Sequence, residues 1–92
     1  MFYTYILSNS HHTVFYTGFT DDLYRRVQEH RQKLVQGFTQ KYNCNKLLYF
    51  EEFKWADDAK HREHQVKRYS REWKKNLIQS VNPEWRDLYE DF

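Results

Sequence analysis

The sequence predicts a single α+β domain with a small three-stranded antiparallel sheet that is flanked by three or more helices. Three short segments are rich in aromatic and β-branched residues, as strands are, and longer segments carry apolar residues at helical spacing. The chain has 92 residues, which is enough for one hydrophobic core. We therefore expect residues 1–92 to form one domain.

The N-terminal part of the chain predicts a β-hairpin. Residues 2–7 and 13–19 have strand character, and residues 8–12 are a polar turn between them. If the hairpin closes symmetrically about the middle of this turn, Tyr5 faces Tyr16 across the two strands. A slip of one residue would instead separate the two phenols.

The third predicted strand, residues 46–53, is apolar on both sides, and we expect it to be central in the sheet. Helices are predicted from residue 20 to about 34, from Asp57 or Asp58 to 69, and from residue 70 or 71 to 81. Their expected inward residues are Leu23, Val27, His30 and Leu34 in the first helix, and Trp73, Leu77, Ile78 and Val81 in the last. Residues 35–45 are predicted to be a loop. Beyond the last helix, we expect Trp85, Leu88 and Tyr89 to fold back on the core.

The composition limits the classes of protein to consider. One-fifth of the residues are aromatic, with two glycines and one proline, which argues against disorder. A single cysteine, Cys44, allows no internal disulfide, and no apolar run is long enough for a signal or membrane segment. We expect a cytoplasmic protein that does not enter a membrane.

Charge is unevenly distributed along the chain. Residues 60–75 contain seven Lys or Arg against two acids, whereas residues 82–92 contain one basic residue against four acids. The basic segment is either a solvated helix face or a surface for a polyanion such as nucleic acid.

Glu63 occupies an unusual place in the second predicted helix. It lies on the inward stripe of that helix, together with Ala59, Val66 and Ser70. A partly buried carboxylate needs a partner, which could be Arg26 or Arg62 in an ion pair. Alternatively it could bind a hard divalent cation such as Mg²⁺, with substrate phosphates and water completing the shell. No histidine and cysteine spacing indicates a four-ligand zinc site.

Several of these features occur in a recognisable order. They are the triplets Tyr3-Thr4-Tyr5 and Tyr16-Thr17-Gly18, followed by Arg26, His30 and Glu63. In this order and spacing the chain resembles the GIY-YIG nuclease family, and it is most similar to the small stand-alone bacterial members. The resemblance covers the chain from residue 2 to about residue 85.

The resemblance implies hydrolysis of phosphodiester bonds in DNA with Mg²⁺ or Mn²⁺. The residues that it marks as catalytic are Tyr5, Tyr16, Arg26, His30 and Glu63, with Glu63 as the metal ligand. Expected substrate-binding residues are Gly18, Thr39, Lys41, Lys67, Arg68 and Asn82. The DNA could be branched or otherwise structured, a homodimer is compatible with the sequence, and DNA repair or recombination is the expected context.

The chain departs from the family pattern at two positions, and the second departure leaves the general base open. Tyr3 replaces the leading glycine of the first triplet, and Phe19 follows the second triplet where the excision-repair branch has a lysine. That lysine is thought to help the tyrosine lose its proton, so either Tyr16 or His30 could be the base here. The alternative functions are a nucleic-acid-binding module that does not cut, and a protein-interaction domain anchored by Trp85 and Tyr89.

Overall fold

The computed structural model describes residues 1–35 and 37–92. In chain order the elements are β1 (Phe2–Ser8), β2 (Phe15–Thr20), α1 (Leu23–Arg31), α2 (Phe38–Tyr42), β3 (Lys46–Phe53), α3 (Ala56–Lys67), α4 (Arg71–Val81) and a 3₁₀ helix (Leu88–Asp91). The three strands form one antiparallel sheet with helices packed around it. The predicted α+β class is therefore confirmed.

The strand order is β2-β1-β3, so β1 is the central strand and β3 lies at an edge. The expectation that the third strand is central is wrong. Leu47 and Leu48 of β3 are both fully buried, but on different faces of the sheet and in different core clusters. The two-sided apolar pattern of β3 reflects layers above and below the strand and does not require a strand on each side.

The hairpin register differs from the symmetric closure by two residues. Tyr5 pairs with Gly18, and Tyr16 pairs with Leu7. Because side chains alternate between faces with a period of two, this shift leaves both phenols on the same face. Their ring centroids are 6.3 Å apart. The predicted pairing is wrong, but the predicted proximity of Tyr5 and Tyr16 is confirmed.

The sheet has a hydrophobic core on each face. On one face, Tyr5, Leu7 and Leu47 pack with residues of α1 and of the C-terminal segment; the buried members of this cluster are Tyr5, Leu7, Leu23, Val27, Cys44 and Leu47. On the other face, α3 and α4 cover the sheet, and the buried members are Ile6, Leu48, Tyr49, Val66 and Ile78. Trp85, Leu88 and Tyr89 pack against these two clusters, as the sequence predicts.

The first helix is shorter than expected. It ends at Arg31, Lys33 adopts a left-handed conformation with φ of 58°, and the Leu34 N–H donates to the Glu29 carbonyl at 2.9 Å. Leu34 is 67% exposed, so its predicted inward position is wrong. The predicted loop after it contains α2, a single helical turn and a half that the sequence pattern did not reveal.

The later helices also begin or face differently from the prediction. Trp55 is the N-cap of α3, in place of Asp57 or Asp58, which lie in its first turn. The last helix begins at Arg71, within the predicted start, and Ser70 caps it by accepting the Trp73 N–H at 3.2 Å. Trp73 and Val81, however, are 62% and 59% exposed, so these two predicted inward positions are wrong. Within the described residues, none of the helices has both the length and the apolar character needed to span a membrane.

Candidate active site

The site begins with a close contact between the two hairpin strands. The Tyr5 ring on β1 lies directly over Gly18 on β2, and a Cβ atom at position 18 would be 2.4 Å from the Tyr5 Cζ and Oη atoms. No side chain can occupy that space without displacing the ring. Gly18 thus permits a close approach of the Tyr5 phenol, which occupies the space where a substrate-binding contact at Gly18 was expected.

A buried hydrogen-bonded chain extends from this phenol. The Tyr5 hydroxyl lies 3.3 Å from His30 Nε2, and His30 Nδ1 lies 2.9 Å from Thr39 Oγ1. The three residues come from β1, α1 and α2, and they are only 2%, 3% and 4% exposed. A neutral imidazole has one N–H donor and one nitrogen acceptor. Both hydrogen bonds form whichever of the two His30 nitrogens carries the proton, because the hydroxyls of Tyr5 and Thr39 can each donate or accept. In either tautomer, both nitrogens of His30 are therefore hydrogen-bonded to other residues of the protein.

Burial also controls the charge of these groups. Burial, followed by the positive charge of Arg26, lowers the pKa of His30 to about 4, although Glu29 opposes the change. Burial raises the pKa of Tyr5 well above its usual value; Tyr16, Glu63 and Glu29 add to this increase, and Arg26 opposes it. At neutral pH the imidazole is therefore uncharged and Tyr5 is a protonated phenol.

Tyr16 is the more accessible of the two phenols. It is half-buried, and its ring centroid lies 5.5 Å from that of His30 and 6.3 Å from that of Phe38. It therefore lies between the buried chain and the surface.

Arg26 on α1 retains hydrogen-bonding capacity. Its side chain is 37% exposed, and its Nη1 lies 3.7 Å from Glu29 Oε1. Its Nε is buried and has no hydrogen-bond partner among residues 1–35 and 37–92. A guanidinium with an unused inner donor and a partly exposed outer edge is suited to bind a planar or tetrahedral oxyanion.

Glu63 lies on α3 and reaches the same region. Its side chain is 16% exposed, and its Oε2 is 3.3 Å from Lys67 Nζ. The ion pair with Arg26 or Arg62 that the sequence allowed is not the one formed, since Arg62 pairs with Glu51 at 3.1 Å. Because Glu63 contributes to the raised pKa of Tyr5, its carboxylate lies within electrostatic range of that phenol.

Predicted catalytic residues from separate elements act electrostatically on one phenol. The pKa of Tyr5 on β1 is affected by a phenol from β2, a guanidinium from α1 and a carboxylate from α3. The structure also places Gly18 and Thr39 within this group.

Other predicted substrate-binding residues lie elsewhere. Lys41 is on the exposed side of α2, 5.4 Å from the Tyr42 ring centroid, and Arg68 is exposed at the end of α3. Asn82 is 4% exposed, and its amide nitrogen donates to the Leu48 carbonyl at 3.0 Å and to the Arg86 carbonyl at 2.8 Å. Asn82 is the C-cap residue of α4, where its backbone N–H donates to the Ile78 carbonyl. Its side-chain amide is used within the protein, so the structure does not present it to a substrate.

One charged residue of the site was not anticipated. Glu29 lies beside Arg26 and affects the pKa of both His30 and Tyr5. Its position three residues after Arg26 on the same helix is the sequence signal that could have identified it.

The oxygen donors of the site can be compared with the needs of a metal ion. The described residues contain no cluster of three or more His, Cys, Asp or Glu that could hold a metal. Glu63 offers one carboxylate, and its partner Lys67 is 50% exposed and free to move away. This donor set fits Mg²⁺, which keeps several waters and shares its shell with substrate phosphates, and does not fit a closed zinc site.

Comparison with known proteins gives a consistent match along the chain. The sequence model of the GIY-YIG catalytic domain matches residues 1–76. A UPF0213 protein of Haloquadratum walsbyi is 38% identical over 77 residues, covering 84% of this chain and 85% of that protein. A UPF0213 protein of Clostridium perfringens is 35% identical over 80 residues, covering 87% and 85%. The solution NMR structure of a UPF0213 protein from Bacillus halodurans superimposes with a TM-score of 0.60 at 27% identity, covering 95% of this chain and 93% of that one.

Proposed function

Because this chain belongs to the GIY-YIG family of nuclease domains, we propose that it is a divalent-metal-dependent endonuclease that hydrolyses phosphodiester bonds in DNA. The observation that supports the proposal is that Tyr16, Arg26 and Glu63 all affect the pKa of Tyr5, with the Tyr16 ring centroid 6.3 Å from that of Tyr5. A module that only binds nucleic acid would not need a mostly buried carboxylate, that of Glu63, within electrostatic range of these residues.

Arg26 is the residue best suited to bind the scissile phosphate. Hydrolysis builds negative charge on the non-bridging oxygens, and preorganised donors in a partly dry site stabilise that charge. The partly exposed outer nitrogens of the Arg26 guanidinium are the donors that a phosphate can reach, since its unpaired Nε is buried. Glu29, beside Nη1, helps to hold the guanidinium in place.

The choice of general base favours Tyr16 over His30. A base must reach the attacking water, but His30 is 3% exposed and both of its nitrogens are occupied by Tyr5 and Thr39. Its pKa of about 4 also makes it a weak base at neutral pH. Tyr16 is half-buried and can contact both water and a bound phosphate. Tyr5, His30 and Thr39 then form a rigid support behind the Tyr16 ring.

Glu63 is the residue that would hold the metal ion, which we propose to be Mg²⁺ or Mn²⁺. When bound, such an ion neutralises charge on the phosphate and assists departure of the leaving oxygen. Lys67, which pairs with Glu63, lies close enough to contact a neighbouring phosphate once it is released from the carboxylate. A branched DNA substrate, a homodimer, a cytoplasmic location and a role in DNA repair or recombination stay predictions.

Cleavage of nicked, flapped, branched and linear DNA, with Mg²⁺, Mn²⁺ or EDTA, tests the proposal. Glu63→Gln and Arg26→Gln should each lower the rate about 100-fold or more, with circular dichroism unchanged. Glu72→Gln and Arg25→Gln are matched controls, because Glu72 is a lysine-paired helix carboxylate and Arg25 is the neighbour of Arg26. Full cleavage by the Glu63 variant would remove its role, and salt-sensitive binding without cleavage in any metal would favour the binding-module alternative.

A further inference from the structure

A groove lies beside the accessible phenol, and the site described above does not account for it. The groove has a volume of about 190 Å³ and is lined by Val14, Phe15, Phe38, Arg71 and Lys74. It meets the site at Phe38, whose ring centroid lies 6.3 Å from that of Tyr16. The groove is thus apolar where β2 and α2 line it and basic where α4 does.

The aromatic side of the groove is unusually exposed. Phe38 is 46% exposed and Tyr42 is 40% exposed, and their ring centroids lie 4.8 Å apart. Both rings belong to α2, whose inward residue Thr39 bonds His30. This short helix therefore supports the buried chain on one side and presents two partly exposed aromatic rings to solvent on the other. Such rings are typical of surfaces on which nucleobases stack.

The basic side of the groove carries charge that acids do not offset. Three other cations of the 60–75 segment are paired with acids: Arg62 with Glu51, Lys67 with Glu63 and Lys75 with Glu72. Arg71 and Lys74 form no salt bridge within the part of the chain that the structure describes. The Arg71 guanidinium lies 6.0 Å from the Phe15 ring centroid, at the groove wall. Burial and the neighbouring Lys67 lower the pKa of Lys74, as expected for an ammonium without an acidic partner.

We propose that this groove is a subsite for an unpaired nucleotide strand, with one base stacked on Phe38 and a backbone phosphate held by Arg71 and Lys74. Base faces are accessible for stacking on a side chain only when the strand is not paired and stacked in a duplex. The inference rests on the proposed function in one respect, namely that the strand leads to Tyr16 for cleavage. It predicts that single strands, flaps and frayed ends are better substrates than blunt duplexes.

Binding in EDTA tests the subsite without relying on cleavage. Fluorescence anisotropy would compare a labelled oligothymidine with a blunt duplex of the same length. Phe38→Ala should weaken binding of the single strand about fivefold or more and leave duplex binding about unchanged. Phe38→Trp, which keeps a stacking face, should retain the affinity for the single strand.

The two cations are tested through the salt dependence of the same binding. Lys74→Gln and Arg71→Gln should each reduce the slope of log affinity against log salt by about 0.7 for a single strand. Lys54 and Trp55 provide matched controls, because they form an exposed pair outside the groove with the Lys54 nitrogen 5.5 Å from the Trp55 ring centroid. Lys54→Gln and Trp55→Ala should leave both affinity and slope unchanged.

The outcomes separate this subsite from the proposed activity. Equal affinity of wild-type protein and Phe38→Ala for oligothymidine would overturn the subsite, even if Glu63-dependent cleavage is observed. An equal loss of duplex binding in Phe38→Ala would also overturn it. Phe38-dependent binding of a single strand by a protein that cuts nothing would support the subsite and refute the nuclease.

Discussion

Tyr5 lies so close to Gly18 that its ring fills the space where a side chain at position 18 would begin. A Cβ atom there would come within 2.4 Å of the Tyr5 Cζ and Oη atoms. The same hydroxyl meets His30 Nε2 at 3.3 Å. The glycine of the second triplet thus places the tyrosine of the first triplet against His30.

Gly18→Ala should therefore disturb both stability and cleavage. The Tyr5 ring is 2% exposed and cannot move away cheaply, so the substitution should lower the free energy of unfolding by about 1–3 kcal/mol. The displaced ring should also lower the cleavage rate by about tenfold or more, because it supports Tyr16. Urea denaturation and a plasmid-cleavage assay measure the two effects.

The double variant Gly18→Ala, Tyr5→Leu is the control for this contact. A smaller side chain at position 5 removes the ring with which the new methyl group clashes. The stability losses of the two single variants should then sum to more than the loss in the double variant. Strictly additive losses would show that the methyl group acts elsewhere.

Tyr16→Phe should lower the cleavage rate about 100-fold and change the free energy of unfolding little. Tyr16 is half-buried, and its hydroxyl has no hydrogen-bond partner among the described residues. Removing the hydroxyl therefore leaves no buried group unpaired. Tyr5→Phe should behave in the opposite way. It leaves His30 Nε2 buried without its partner, so it should cost about 1–3 kcal/mol of stability and affect the rate less.

Single-turnover cleavage rates and urea denaturation on the two phenylalanine variants separate these roles. A normal rate for Tyr16→Phe would transfer the base role to another group, such as metal-bound hydroxide. A larger loss of rate in Tyr5→Phe than in Tyr16→Phe would reverse the assignment of the two phenols.

Thr39→Val should release His30 from its fixed orientation. The substitution keeps the shape of the side chain but removes the hydroxyl that lies 2.9 Å from His30 Nδ1. It should cost about 1–3 kcal/mol of stability and leave the imidazole with a mixture of tautomers. Nitrogen-15 NMR of the His30 ring detects the mixture directly, and Thr39→Ser, which keeps the hydroxyl, should preserve the wild-type spectrum.

His30 should make the protein less stable in mild acid. Its pKa is about 4 in the folded protein and about 6.5 in the unfolded chain, so below pH 6.5 the unfolded chain binds a proton that the folded protein excludes. Its contribution, about 3 kcal/mol, is fully present above pH 6.5 and is lost as the pH falls towards 4. The groups facing it are Arg26 and Glu29 on its own helix, Tyr5 and Tyr16 on the strands, and Thr39 on α2.

Urea denaturation across this pH range, compared between wild-type protein and His30→Gln, isolates the effect. The variant cannot titrate at position 30, so its free energy of unfolding should fall less between pH 6.5 and 4. Parallel curves for the two proteins would contradict the low pKa of His30 and, with it, the argument against His30 as the base.

Some parts of the fold and of the site could be predicted because they depend on neighbouring residues. Alternation with a period of two placed Tyr5 and Tyr16 on one face, and a two-residue error in register did not alter that result. The start of the last helix was predicted at residue 70 or 71 from the apolar helical stripe that follows, and Ser70 is its N-cap. The strand order was not predictable in this way, because layers that cover β3 from above and below produce the same apolar pattern as lateral neighbours.

From its sequence alone, this protein could be assigned to an α+β domain that carries the residues Tyr5, Tyr16, Arg26, His30 and Glu63 in a nuclease-like order, because short-range spacing encodes which face each residue occupies. Packing between distant elements determined the rest. It buried His30 between Tyr5 and Thr39, bonded the Asn82 amide to the Leu48 carbonyl of β3 and paired Glu63 with Lys67. The hydrogen-bonding partner and the solvent exposure of a side chain depend on contacts between residues far apart in the chain. Local sequence patterns do not predict such contacts.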